Sequence, residues 1–181
     1  MHTYLAAPLN RNVKKYDTTD FKTLLGNWEK RIVAGNNAFS QKHWLSSIAL
    51  YYQAIALANQ LMRVSPYRKE ATVSLLVSFH NLSDTYLQFA TETKPDERMG
   101  IYQMALTALC EVKNRIDAVA ILLPDNPDVR RAKCIAHQQR WLLSKQHPQL
   151  ATDLTSTLAF DTSSTPLVAY TSKVAASQAN H

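Results

Sequence analysis

Between Trp28 and Met62 the apolar residues return every three or four positions, pause, and return again. Phe21, Leu24, Leu25, Trp28, Ile32 and Gly35 make one stripe. Trp44, Ile48, Tyr51, Tyr52, Ile55 and Ala58 make the next, ending near Met62. That spacing matches the 3.6-residue turn of an α-helix, so each stripe is one face of an amphipathic helix. Two such helices in succession bury their stripes by folding back on each other. The chain has only 3 glycines in 181 residues. Glycine-dependent hairpin turns and phosphate-cradling loops are therefore nearly excluded, and the expected fold is all-α.

The same reading extends along the chain. Residues 1–16 show no period and are expected to form a flexible arm. Asp17 or Thr18 is placed to cap the first helix, and Ser40 the second. Ser65-Pro66 breaks the pattern. A third helix is expected from Arg68 to Phe89, and Thr91–Asp96 as a loop. A fourth carries Met99, Tyr102, Leu106, Leu109, Ile116, Val119 and Leu123, and Pro124–Pro127 stops it. Asp128 is the expected cap of a fifth helix reaching His147-Pro148. This gives antiparallel helical hairpins with five main helices, in one domain over 17–150. Residues 151–181 turn to Ser, Thr and Ala and are expected to be mostly disordered.

Charge is uneven. The net value is +6, and the excess lies in Arg11, Lys14, Lys15, Lys22, Lys30, Arg31 and Lys42. Such a stripe can attract nucleic acid, anionic lipid or an acidic protein, and equally reads as a solvated face. Cys110 and Cys134 share no short-range motif and fit small core residues of a reduced, cytoplasmic chain. No signal peptide and no apolar run long enough to span a bilayer is visible.

Helical hairpins in series raise the question of a repeat. Ala34-Gly35, followed by Ser47, Tyr51 and Ala54, resembles the packing code of the tetratricopeptide repeat (TPR). Small residues at Gly35 and Ser47 let two helices approach, Tyr51 fills the space beside them, and Ala54 lets the next hairpin stack. Asn81-Leu82-Ser83 with Tyr86 resembles the next first helix, with Gly100, Met104 and Thr107 in the second-helix places after about five extra residues. Ile135-Ala136 marks a third first helix only. Ala38 stands where the first-helix aromatic is usual, and no proline closes the first unit. The resemblance implies a short right-handed TPR-like stack. Trp28-Glu29, the run from Ser47 to Ala54, His80-Asn81-Leu82 and Lys145-Gln146-His147-Pro148 also resemble a family of short uncharacterised gammaproteobacterial proteins.

In such a stack the first helices line a concave groove. The resemblance then places Ile32, Asn36 and Phe39 from the first unit, His80, Asp84 and Leu87 from the second, and Arg130 and Lys133 from the third along it. Mixed apolar and polar groups of this kind hold an extended or helical segment. The leading expectation is a non-enzymatic protein–protein interaction module, with a homo-oligomer possible. Phe39 and Leu87 would be its apolar anchors, and Arg130 would pair with an acid. Some repeat proteins clamp a C-terminal carboxylate, and Asn36, Asn81 and Arg130 fall at matching places. Ile32 and Cys134 replace two of the cations, which leaves such a clamp poorly paired.

Two other classes stay open: a small cytosolic chaperone for a secreted cargo, and a nucleic-acid binder using the basic N-terminal part. His80 and Asp84, four apart, read as a groove hydrogen bond rather than an acid–base pair, since no nucleophile is placed beside them. Cys134 and His137 are two ligand types where structural zinc takes four, so neither metal nor cofactor is expected. Trp28, Trp44 and Trp141 sit at core spacing, although tryptophans can also stack bases.

Overall fold

The computed structural model describes residues 18–64, 69–148 and 150, and these form five α-helices without a strand. They are α1 (Thr18–Ser40), α2 (Trp44–Val64), α3 (Lys69–Glu92), α4 (Pro95–Leu122) and α5 (Pro127–Gln146). Among the described residues no helix is long and apolar enough to cross a membrane. The chain divides into two compact units, one ending at Leu143 and the other beginning at Ser144. The expectations for residues 1–16 and 151–181 lie outside the described residues. The fold is all-α, and in the first unit α1 to α4 pack in chain order as helical hairpins.

The first hairpin is built as its small residues require. A Cβ on residue 35 would stand 2.6 Å from Cε1 of Tyr51, so only glycine lets the ring lie there. The Ser47 hydroxyl donates to the Gly35 carbonyl at 3.1 Å, and Ser47, Tyr51 and Ala54 are all buried. The turn between the helices differs from expectation. Ser40 does not cap α2; its hydroxyl donates back to the Asn36 and Asn37 carbonyls and so helps close α1. Lys42 takes the left-handed backbone conformation at φ 59°, and the His43 carbonyl accepts the Ser47 amide at the start of α2. A left-handed residue after the last helical turn is a common way to satisfy orphan carbonyls.

The second hairpin slips by one residue. Gly100 and Thr107 are exposed, and Ile101, Ala105 and Ala108 take the buried second-helix places instead. The cause is the junction. Most of Thr91–Asp96 is helical, and only Thr93 and Lys94 separate α3 from α4. Pro95 suits the first helical position, where an amide hydrogen has no partner. Arg98 then reaches back, donating to the Ala90 and Thr93 carbonyls at the end of α3. Met99, expected on the stripe, is turned out to solvent. Across the hairpin the Ser83 hydroxyl donates to the Ala105 carbonyl at 3.1 Å.

α3 is the centre of the first unit. It buries Leu75, Leu76, Phe79, Leu82 and Tyr86, but also the hydroxyl residues Thr72, Ser74, Ser78, Ser83 and Thr85. Ser78 receives the Trp28 indole N–H at 2.8 Å and passes its own hydrogen to the Ser74 carbonyl. Thr85 donates to the Asn81 carbonyl and lies 3.4 Å from the Ser47 hydroxyl. The helix thereby meets α1, α2 and α4 through polar links as well as apolar ones.

α5 is capped by Asn126, not by Asp128: Asn126 Oδ1 accepts the amides of Asp128 and Val129. Proline at residue 127 sets this register, leaving Asp128 in the first turn, where a carboxylate suits the helix dipole. Two further expectations fail here. Cys134 is exposed, and Trp141 is 56% exposed instead of sharing the core with Trp28. Both lie off the buried line formed by Val129, Ala132 and Ala136.

Candidate functional site

A pocket of about 150 Å³ opens between α1 and α3, floored by α2. Asn36 and Phe39 come from α1, Tyr51 from α2, and Asn81 and Asp84 from α3. Helical spacing explains why these residues meet. Asn36 and Phe39 are three apart on one face, and so are Asn81 and Asp84.

Hydrogen bonds fix the pocket's orientation. Asn36 Oδ1 accepts the Tyr51 hydroxyl at 2.7 Å and the Asn81 Nδ2 at 3.1 Å. Both lone pairs of that oxygen are thus engaged, and Asn36 is left to present its NH₂. Asn81, having donated through Nδ2, presents its Oδ1 as an acceptor. Burial pushes the Tyr51 phenol up, so it stays a neutral donor. Phe39 is steadied by Trp44, ring centroids 5.4 Å apart and nearly perpendicular. Trp44 in turn donates its indole N–H to Glu92, which also receives Lys42 at 2.7 Å. Those hydrogen bonds hold the Glu92 carboxyl below the usual carboxylate range.

Asp84 has no hydrogen-bond or ion-pair partner among the described residues. Its side chain is open to solvent on one side, yet the surrounding protein desolvates it enough to push its carboxyl up. None of the five lining residues is a cation.

The groove residues expected from sequence separate into groups. Asn36, Phe39 and Asp84 come together in the pocket, joined by Asn81 and Tyr51. Leu87, one turn beyond Ser83 on α3, is half-buried. Ile32 is 8% exposed and belongs to the core: four residues after Trp28 and three before Gly35, it sits on the packing stripe itself. His80 is half-buried, its Nε2 has no partner, and burial pushes its pKa down. No hydrogen bond joins it to Asp84, so the expected groove bond is absent.

Arg130 and Lys133 do not line the pocket. Arg130 is exposed in the first turn of α5, and Lys133 lies 3.5 Å from Asp117 of α4. Asp117 is a site that sequence reading missed. It also receives Lys113 at 2.8 Å and His137 Nε2 at 2.9 Å. Burial alone would raise its carboxyl, but the hydrogen bonds and charges of Lys113 and His137 outweigh this and hold it at about 2. The i,i+4 spacing of Lys113 and Asp117 was readable; the two partners across the turn from α5 were not. A carboxylate clamp is also disfavoured, because Asn36 and Asn81 share their pocket with Asp84, and a bound carboxylate would meet a like charge.

Fold and site together define a small helical-hairpin protein with a pocket of mixed polar and aromatic lining between α1 and α3. The chain belongs to the family described as "Protein of unknown function (DUF2753)", whose signature matches residues 26–122. That stretch runs from the third turn of α1 to the end of α4 and contains every pocket residue. No curated protein and no solved structure matches the chain.

Proposed function

We propose that this protein is a non-enzymatic interaction module, working in the cytoplasm, that holds a peptide or protein segment in the groove between α1 and α3. The pocket of Asn36, Phe39, Tyr51, Asn81 and Asp84 is the observation that carries this reading. Its volume is about 150 Å³. Sites for whole small ligands run to roughly 300–1,000 Å³, so this one suits a single side chain of a larger partner. The TPR-like reading is supported by the Gly35–Ser47–Tyr51–Ala54 packing of the first hairpin and by the pocket's position on alternate helices. In that geometry Phe39 and Leu87 are the apolar anchors for a segment laid along the groove.

The test is selection of peptides from a random displayed library, followed by affinity measurement with purified wild type, Phe39→Ala and Leu87→Ala. Both variants should weaken binding while retaining a cooperative thermal transition. A failure to enrich any peptide, or peptides that bind the folded variants as well as wild type, would overturn the assignment.

A further inference from the structure

We propose that the pocket is specific for an arginine of the bound segment, its guanidinium seated between the Asp84 carboxylate, Asn81 Oδ1 and the ring of Phe39. The inference rests on the groove reading above and deepens it by naming the group recognised. It follows from which atoms are spent and which are left.

Asn36 Oδ1 is saturated by Tyr51 and Asn81, and the bond it takes from Asn81 Nδ2 leaves Asn81 Oδ1 as that side chain's remaining acceptor. Three residues further along the same face of α3 stands Asp84, unpaired among the described residues. Two acceptors in one small pocket, one of them anionic, match a planar group with several N–H donors. A carboxylate that is partly desolvated and unpaired gains more from a cation than one in open water. Phe39 adds an aromatic surface on which a guanidinium stacks better than an ammonium does. Size agrees: an apolar cavity of comparable volume is known to hold a ring of about six heavy atoms, and a guanidinium with its methylene is no larger. An acidic ligand is refused by Asp84, and an apolar one would leave the carboxylate and Asn81 Oδ1 unsatisfied.

The experiment titrates the full chain with N-acetyl-arginine amide, its lysine counterpart and its uncharged citrulline isostere. Binding is followed by NMR at the side-chain amides of Asn36 and Asn81. Arginine amide should give saturable shifts at both, lysine amide weaker ones, and citrulline amide none. Asp84→Asn should weaken the arginine probe by roughly tenfold or more. The thermal transition should not fall, and should rise slightly at neutral pH, because Asp84→Asn removes a desolvated, unpaired charge that supports no other described group. Absent or non-saturable arginine shifts, equal binding of citrulline, lysine binding as tightly as arginine, or an Asp84→Asn variant that binds like wild type would each overturn the inference. Library-selected peptides that need Phe39 but ignore Asp84 would overturn it while leaving the groove reading intact; no selected peptides at all would remove both.

Discussion

The ring of Tyr51 occupies the space that a side chain at residue 35 would need, with Cε1 2.6 Å from where a Cβ on Gly35 would be. Gly35 and Tyr51 are therefore one packing decision shared by α1 and α2. An alanine in mid-helix normally stabilises by about 1 kcal/mol over glycine. Here Gly35→Ala must displace a buried ring and strain its bond to Asn36, at about 2–4 kcal/mol. The expected net result is a loss of about 1–3 kcal/mol in chemical denaturation. Gly26→Ala, with nothing within 4 Å of its new Cβ, should instead gain about 0.5–1 kcal/mol.

Tyr51→Phe keeps the ring and removes the 2.7 Å bond to Asn36. Stability should fall by about 1 kcal/mol. Asn36 is then free to turn its amide, so Asn81 loses its fixed orientation. Peptide affinity should drop by more than the stability change suggests, which calorimetry with a library-selected peptide would read.

Asn126→Ala should cost about 0.5–2 kcal/mol, since Asn126 Oδ1 holds two amides of the first turn of α5. Hydrogen exchange should quicken at Val129 and its neighbours. Asp128→Ala should have a smaller effect, because Asp128 contributes its charge and an exposed 3.9 Å contact to Lys69 without capping the helix.

Asp117 sets an acid limit. Its carboxyl is held at about 2, below its ordinary 3.8. A group whose folded pKa is depressed stabilises the fold above its unfolded pKa, and that contribution is lost as pH falls through the folded value. Stability should therefore decline from just below pH 4 to about pH 2, and Asp117→Asn should flatten that part of the profile. A pH series of urea midpoints for the two proteins checks this.

The helices were legible because they rest on periodicity, a property of near neighbours in the chain. The same holds for Gly35, Ser47, Tyr51 and Ala54, whose sizes dictate their contacts. Turn chemistry was less legible. Ser40 and Asp128 are good caps by type, but the left-handed Lys42 and the position of Pro127 moved the real starts to His43 and Asn126. The two-residue junction at Thr93-Lys94 moved the second hairpin's register, because Arg98 lets both helices run on through a polar stretch. At the site, Asn36, Phe39 and Asp84, which the TPR resemblance places on the groove, line the pocket, whereas Ile32 sits on the packing stripe and is buried. Asp117 depends on how α5 crosses α4, which no local pattern encodes.

The buried hydroxyls of α3 bear on how the protein meets temperature. Heat capacity rises on unfolding with the apolar surface exposed and falls with the polar surface exposed. Thr72, Ser74, Ser78, Ser83 and Thr85 replace alkyl groups with hydroxyls in the most enclosed helix of the first unit. Unfolding then has a smaller heat-capacity increment than an all-alkyl helix of the same length would impose. The stability curve of such a domain is flatter, and cooling removes less of its margin.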